Sequence, residues 1–148
     1  MSARVFLDTN VLVYAYDRSE GQKQRRALEL LDQLVTTGAG AISTQVLAEF
    51  FVAVTRKIPA PLSVEEGYGR IRSFLQVWTV LDVTPLIVLE ATRGVRDYQM
   101  SLWDAQIWAT ARLNQIPLVF SEDFSAQVSE GVRFVNPFAE DFEMGQWL

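Results

Sequence analysis

Short apolar runs alternate with longer amphipathic segments along most of the chain. The runs are bounded by turn-forming residues, whereas the segments between them repeat apolar side chains at helical spacing. This alternation is typical of an α/β fold in which helices flank an open parallel sheet. We expect a single domain over residues 1–148 with about four to five short strands. The predicted strands are Arg4–Leu7, Ala41–Ser43, Thr79–Val83, Pro117–Ser121 and a short edge strand at Val132–Val135.

Capping residues, glycines and prolines mark the ends of the predicted helices. Ser19 with Gln22, and Ser63 with Glu66, have the spacing of a capping box, in which two side chains cap each other's backbone. Pro85 suits the first turn of a helix. The predicted helices run from Ser19 to a stop at Gly38 and Gly40, from Thr44 to Lys57 before Pro59 and Pro61, from Ser63 to about Val77, from Pro85 to about Tyr98, and from Ser101 or Leu102 to about Asn114.

The composition restricts the chemistry that the chain can perform. Its residues are 49% apolar and 21% charged, which supplies enough apolar material for a buried core. There is no cysteine, which excludes disulfides and thiolate zinc sites. There is no histidine either, which excludes Ser-His-Asp and Cys-His hydrolases and imidazole ligands. An enzyme built from this chain depends on carboxylates, lysine, tyrosine, or metal ions bound through oxygen.

The net charge of −5 is unusual for a protein that binds nucleic acid, where a basic balance is common. Two divalent cations would offset most of it, so the charge neither supports nor excludes a polyanionic substrate. No N-terminal apolar run is long enough for a signal peptide, and no uncharged stretch reaches the ~20 residues that span a bilayer. We expect a soluble, cytoplasmic protein with no membrane association.

Acidic residues flank the predicted strands. They are Asp8 directly after the first strand, Glu49 in the helix after the second, Asp104 near the start of the helix before the fourth, and Asp123 just after the fourth. Ligands bind an open parallel sheet at the carboxyl ends of its strands, where the strand order reverses. If the first and fourth strands are neighbours, these acids converge there. Oxygen ligands favour Mg²⁺ or Mn²⁺ over zinc, and two such ions could activate a water and hold a phosphate.

Each acid also has a purely structural interpretation. Asp8 could cap a turn, and Asp104 could be a first-turn acid stabilised by the helix dipole. Asp123 could cap the next segment, in which case Glu122 serves equally well as the fourth acid. Glu49 lies in a helix that is apolar almost all round, where glutamates are uncommon unless paired. The functional interpretation is therefore strongest for Glu49 when each residue is taken alone.

Two further features have alternative interpretations. Trp103, next to the third of these acids, could stack on a nucleobase or pack against the protein. The basic residues Lys23, Arg25 and Arg26 could contact phosphates or form the solvated face of an amphipathic helix.

Taken together, four segments resemble the PIN-domain nucleases, and among them the VapC-type toxins of bacterial toxin–antitoxin pairs. The segments are VFLDTNVLVYAYD, ISTQVLAEFF, LWDAQIWATA and LVFSEDF. Their order and spacing cover essentially the whole chain, and the combination is more specific than any one segment.

The resemblance implies a Mg²⁺-dependent endoribonuclease that is usually dimeric and is held inactive by a co-expressed antitoxin. Carried over by motif, Asp8, Glu49, Asp104 and Asp123 form the acidic quartet, with Asp8 and Asp104 as the direct metal ligands. Thr9, Asn10 and Ser121 match supporting polar positions. By this resemblance Asn10 bonds a neighbouring carboxylate, and Ser121 positions either Asp8 or a metal-bound water. Cleavage would leave a 5′-phosphate and a 3′-hydroxyl.

Two other functions are compatible with part of the pattern. Haloacid-dehalogenase phosphotransferases also place an Asp-Thr pair after a first strand, but they need a second aspartate where this chain has Asn10. A catalytically retired PIN-like domain that only binds RNA or a protein would be favoured by loss of one of the acids, and none is lost.

Overall fold

The computed structural model describes residues 3–124 and 128–148, whose strands all belong to one six-stranded sheet. The strands are β1 Val5–Leu7, β2 Gly40–Ser43, β3 Thr79–Leu81, β4 Leu118–Phe120, β5 Val128–Ser129 and β6 Val132–Val135. The helices are α1 Thr9–Tyr14, α2 Gly21–Thr37, α3 Thr44–Val52, α4 Val64–Val77, α5 Pro85–Tyr98 and α6 Leu102–Leu113. A π-helical turn, Ala53–Lys57, extends α3, and a 3-10 turn lies at Met144–Gln146.

The sheet has the strand order β3-β2-β1-β4-β6-β5. Every neighbouring pair is parallel except β5 with β6, so five parallel strands share one direction. Strand order reverses at β1, because the chain continues to β2 on one side and returns to β4 on the other. Leu7 lies opposite Phe120, which brings the ends of β1 and β4 level with each other. The prediction of an open parallel sheet with neighbouring first and fourth strands is confirmed.

Gly94 of α5 has no side chain, which allows α6 to pack close to α5. Trp108 of α6 is fully buried, and a Cβ added to Gly94 of α5 would lie only 2.9 Å from its Cζ3 atom. Ile87 and Ala91 continue the same buried face of α5. This packing fixes α6, whose N-terminal turn carries Asp104, relative to α5.

The structure confirms one predicted capping box and contradicts the other. Ser63 accepts from the backbone N–H of Glu66 at 3.0 Å, and Glu66 accepts from that of Ser63 at 2.9 Å. Ser19 does not cap α2, because its hydroxyl donates to Asp17 at 2.6 Å and Glu20 is the N-cap residue. The spacing of Ser19 and Gln22 therefore does not mark the start of α2, because Ser19 bonds Asp17 within a local turn.

None of the helices in the described ranges is long and apolar enough to span a membrane.

Some elements differ in extent from the prediction. The short helix α1 and strand β5 were not predicted. Because β5 pairs with β6, the prediction that Val132–Val135 is an edge strand is wrong. The C-terminal tail packs on the sheet through Phe142, whose ring meets that of Phe120 edge-on, with 5.5 Å between the ring centroids. Trp147 lies under the guanidinium of Arg133 at 4.8 Å.

Candidate metal and nucleic-acid site

Asp8 lies at the carboxyl end of β1, where the strand order reverses. Its backbone N–H continues the ladder to the carbonyl of Phe120 at 3.0 Å, and its side chain is only 6% exposed. One carboxylate oxygen accepts from the hydroxyl of buried Ser121 at 2.7 Å, and the other accepts from the backbone N–H of Thr9 at 2.7 Å. Asp8 therefore caps α1, as its structural interpretation required, and also faces the ends of the strands.

Burial raises the pKa of Asp8 from 3.8 to about 6. The hydrogen bonds from Ser121 and Thr9 lower the pKa, while the negative charges of Glu49 and Asp104 raise it further. A carboxylate that only capped a helix would have a lowered pKa, since the hydrogen bonds and the helix dipole favour its charged form. The raised pKa shows that burial among other acids dominates at Asp8.

Glu49 reaches the same edge of the sheet from α3. Helix α3 starts directly after β2, and its N-cap Ser43 accepts from the backbone N–H of Val46 at 3.2 Å. Glu49 is half-buried, and its two carboxylate oxygens accept from the hydroxyl of Thr9 at 2.6 Å and from the amide of Gln45 at 3.3 Å. Thr9 is thus shared: its backbone binds Asp8 and its hydroxyl binds Glu49.

Asp104 occupies the first turn of α6, whose N-cap Ser101 accepts from the Asp104 backbone N–H at 3.1 Å. Partial burial raises the pKa of Asp104, the Ser101 hydrogen bond lowers it, and the charges of Asp123 and Glu49 raise it. The helix dipole alone would stabilise the charged form. The contributions of Asp123 and Glu49 show that Asp104 lies within electrostatic reach of both acids, and we define Asp8, Glu49, Asp104 and Asp123 as the acidic cluster.

Asn10 connects Asp123 to the ends of the strands. Its amide donates to Asp123 at 3.1 Å and to the hydroxyl of Ser121 at 3.3 Å, while its carbonyl oxygen accepts from the backbone N–H of Glu122 at 3.2 Å. The Asp123 backbone N–H in turn donates to Ser121 at 3.1 Å. The bond from Asn10 to a neighbouring carboxylate, which the resemblance implied, is present.

Glu122 binds residues outside the acidic cluster, and this distinguishes it from its neighbour Asp123. Its carboxylate pairs with Lys23 of α2 at 2.6 Å and accepts from the hydroxyl of Tyr14 at 2.5 Å. Lys23 also lies over the Tyr14 ring, 4.9 Å from its centroid. The geometry thus favours Asp123 as the fourth acid and gives Lys23 an intramolecular anionic partner.

The acidic cluster is not a closed ligand shell. Within residues 3–124 and 128–148, no group of three or more acidic side chains is arranged closely enough to hold a metal ion. Neighbouring side chains hold the oxygens of Asp8, Glu49 and Asp123 by hydrogen bonds, and like charges repel. The donor set still suits a hard cation, because all its atoms are oxygens and two of the acids have pKa values raised by burial and by neighbouring charge. Direct ligation would therefore require rotation of these side chains.

Two glutamines near the acids were missed by the sequence analysis. Gln106 is a buried polar residue of α6, 8% exposed, and its amide donates to the side-chain oxygen of Gln45 at 3.0 Å. Gln45 precedes Glu49 by one helical turn, and that spacing was the available signal.

The fold and the acidic cluster define a class of protein, an α/β domain with carboxylates gathered where the order of parallel strands reverses. The family model of the PIN domain matches residues 5–127, and the chain belongs to the PIN domain family. Among curated proteins, no sequence matches the chain. The resemblance found in the sequence motifs is confirmed, and membership in this family excludes the haloacid-dehalogenase alternative.

Solved structures of VapC toxins and VapBC complexes have the same fold. Mycobacterium tuberculosis VapC20, described as a sarcin–ricin loop cleaving toxin, matches with a TM-score of 0.64 and 21% identity, over 87% of this chain and 98% of that one. DNA-bound VapBC from Salmonella typhimurium matches with a TM-score of 0.66 and 16% identity, over 91% and 98%. Promoter-bound VapBC2 from Rickettsia felis matches with a TM-score of 0.65 and 17% identity, over 92% and 98%. At these identities the likeness shows the fold.

Proposed function

We propose that this protein is a Mg²⁺- or Mn²⁺-dependent endoribonuclease and the toxin of a VapBC-type toxin–antitoxin pair. The observation that carries the proposal is the environment of Asp8. This carboxylate is buried at the strand-order reversal, within the electrostatic reach of Glu49 and Asp104, and its pKa is raised to about 6. Perturbed carboxylates at such a position are characteristic of functional sites.

Asp8 and Asp104 would be the direct ligands of the metal, with Glu49 and Asp123 completing the acidic cluster. Bound divalent cations supply positive charge for a phosphodiester and lower the pKa of water enough to make it a nucleophile at neutral pH. Hydrolysis in this way leaves a 5′-phosphate and a 3′-hydroxyl. At neutral pH Asp8 is mostly ionised despite its raised pKa, and so is available as a ligand.

The supporting residues hold the carboxylates in place. Ser121 and the backbone of Thr9 bind Asp8, the hydroxyl of Thr9 orients Glu49, and Asn10 orients Asp123. Such bonds keep the carboxylates at the ends of the strands and limit the rotamers from which they turn toward a cation, which reduces the entropic cost of binding it.

The proposed substrate and partners rest on the family and its neighbours. RNA is the substrate because VapC20 is described as cleaving the sarcin–ricin loop. A cognate antitoxin is the expected partner because neighbours of this fold are VapBC complexes. We also propose a homodimer and a cytoplasmic location, because the resemblance to VapC-type toxins implies both.

The test is cleavage of total cellular RNA by the purified protein, followed by sequencing of the new ends. The proposal expects new 5′-phosphate ends when Mg²⁺ or Mn²⁺ is present and none when EDTA replaces the metal. Cleavage that persists in EDTA, or product ends that carry 2′,3′-cyclic phosphates, would contradict it. Binding of RNA without any cleavage at any metal concentration would instead support a catalytically retired domain.

The neighbouring acids Glu122 and Asp123 give a matched pair of variants. Asp123→Asn removes one charge of the acidic cluster, so we expect kcat to fall by about 100-fold. Glu122→Gln removes the same charge one residue earlier, where Lys23 and Tyr14 bind it, and we expect less than about a tenfold loss. Steady-state cleavage rates measure both. The reverse order of effects would make Glu122 the fourth acid.

A further inference from the structure

An open groove of about 540 Å³ lies beside the acidic cluster. We call it the α3–α6 groove. Its lining consists of Thr44, Gln45, Ala48 and Glu49 from α3, Trp103 and Gln106 from α6, and Val83 between β3 and α5. The exposed lining is mainly apolar, with amide and hydroxyl groups between the apolar side chains. Glu49 belongs both to this groove and to the acidic cluster, so the two form one continuous surface.

Hydrogen bonds fix the walls of the α3–α6 groove relative to each other. The Gln45 amide donates to the backbone carbonyl of Trp103 at 3.1 Å and to Glu49 at 3.3 Å, and it thereby ties α3 to the first turn of α6. The Gln45 side-chain oxygen accepts from Gln106 at 3.0 Å, which adds a second bond between the helices. The backbone N–H of Val83 donates to the hydroxyl of Thr44 at 3.2 Å. The groove is therefore preformed.

Trp103 is the most distinctive residue of the lining. Its side chain is 60% exposed, although tryptophan is among the residues that are on average well buried. It directly precedes Asp104, so the indole is carried on the same helical turn as one of the proposed metal ligands. The alternative that Trp103 packs in the core, which the sequence left open, is excluded by this exposure.

We propose that the α3–α6 groove is a nucleobase subsite, in which a base next to the scissile phosphate stacks on Trp103; this inference rests on the endoribonuclease function proposed above. A base is joined to its phosphate through one ribose, so a strand whose phosphate lies at the acidic cluster has its adjoining bases beside Glu49. Base–aromatic stacking is the commonest way in which proteins hold unpaired bases.

The chemistry of the lining favours a base over an acidic or aliphatic occupant. The adjacent carboxylates repel an acidic peptide, whereas an RNA strand brings its phosphate to cations held by those same carboxylates. The Thr44 hydroxyl and the Gln45 side-chain oxygen keep hydrogen-bonding capacity beyond the bonds that fix the walls, and so they can bond the polar edge of a base, which an aliphatic side chain lacks.

The first test compares Trp103→Ala and Trp103→Phe with the wild-type protein on a mixed-sequence single-stranded RNA dodecamer. Loss of one stacked base raises KM by about 5- to 150-fold in Trp103→Ala. Trp103→Phe retains an aromatic face and restores most of the affinity, and kcat stays near the wild-type value in both variants. Tyr68→Ala is the matched control, because Tyr68 is an equally exposed aromatic residue (56%) on α4, outside the groove. It leaves KM unchanged.

A second test links Trp103 to one base of the substrate. The same dodecamer is prepared with an abasic site at each position in turn. For the wild-type protein one abasic position next to the cleaved bond raises KM to the value of Trp103→Ala, and for Trp103→Ala that position no longer matters. Ala48→Phe, which fills the groove from the α3 wall, gives the same loss without altering Trp103.

Three results would overturn the inference. Equal KM values for wild-type protein and Trp103→Ala on a cleaved RNA would show that no base stacks there, with the nuclease function intact. A fall in kcat for Trp103→Ala with KM unchanged would show that Trp103 acts only by placing Asp104. If Trp103→Ala changed inhibition by a protein partner but left the KM for RNA unaltered, the groove would be assigned to a peptide. Absence of RNA cleavage by the wild-type protein would overturn the nuclease proposal together with this one.

Discussion

Replacing Asp104 with asparagine lowers kcat for RNA cleavage by about 100- to 1,000-fold or more, and replacing Asp8 does the same. Each substitution keeps the size of the side chain but removes a negative charge from the acidic cluster. The lost charge weakens cation binding at the point where the phosphodiester must be held. Initial cleavage rates at saturating RNA and increasing Mn²⁺ measure the effect, and partial recovery at high Mn²⁺ would locate the defect in metal binding.

The control for Asp104→Asn is Glu65→Gln. Glu65 is also an acid in the first turn of a helix, α4, but it is exposed. Removing its charge changes the helix dipole interaction in the same way without touching the cluster, so we expect wild-type kcat. If Asp104→Asn or Asp8→Asn retained wild-type kcat and metal dependence, the assignment of the acidic cluster would be wrong.

The second large effect is on stability. We expect Asp8→Asn to raise the free energy of unfolding at neutral pH in EDTA. The pKa of Asp8 is 3.8 when unperturbed and about 6 in the folded protein. Between these values the folded state binds more protons than the unfolded state, so stability falls as pH rises through this window and stays lowered above it. The difference between the two pKa values lowers the free energy of unfolding of the wild-type protein by at most about 3 kcal/mol above this window. Asparagine does not ionise, so the variant avoids this loss.

Thermal unfolding in EDTA at several pH values tests this. We expect the Tm of Asp8→Asn to exceed that of the wild-type protein at pH 7.5 by about 2–4 °C for each kcal/mol gained. The gap narrows as pH falls from about 6 and closes below about 3, where Asp8 is protonated in both states. Asp32→Asn, at an exposed acid on α2, serves as the control and leaves Tm unchanged. A variant less stable than the wild type at pH 7.5, or a gap independent of pH, would contradict the account.

The sequence predicted where Asp8 lies, because an apolar run that ends in an acid marks the carboxyl end of a buried strand. The pairing of Asp8 with Ser121 depended on β1 and β4 being neighbours, which no local pattern specifies. The family resemblance implied a role for Ser121 at Asp8 or at a metal-bound water, and the adjacency of the two strands was stated only as the condition under which the acids converge. The resemblance supplied the substrate class, which residue chemistry alone did not.

Other features could not be predicted because they depend on contacts between distant segments. Glu122 and Asp123 are adjacent and chemically alike, and they are distinguished only by Lys23 and Tyr14, which are brought to Glu122 by the packing of α1 and α2. The α3–α6 groove needs residues from two helices separated by more than fifty positions. The Ser19 capping box failed because Asp17 offered a nearer partner.

The central claim is that the acidic cluster binds a divalent cation, and calorimetric titration with Mn²⁺ tests it most directly. The wild-type protein and Glu122→Gln are expected to bind with similar affinity, whereas Asp8→Asn and Asp104→Asn lose more than about tenfold. Because burial raises the pKa of Asp8 to about 6, Mn²⁺ binding measured at pH 6 should also release protons, and the measured heat should then vary with the ionisation enthalpy of the buffer. Equal Mn²⁺ affinity in all four proteins, or no binding by the wild type, would contradict the account.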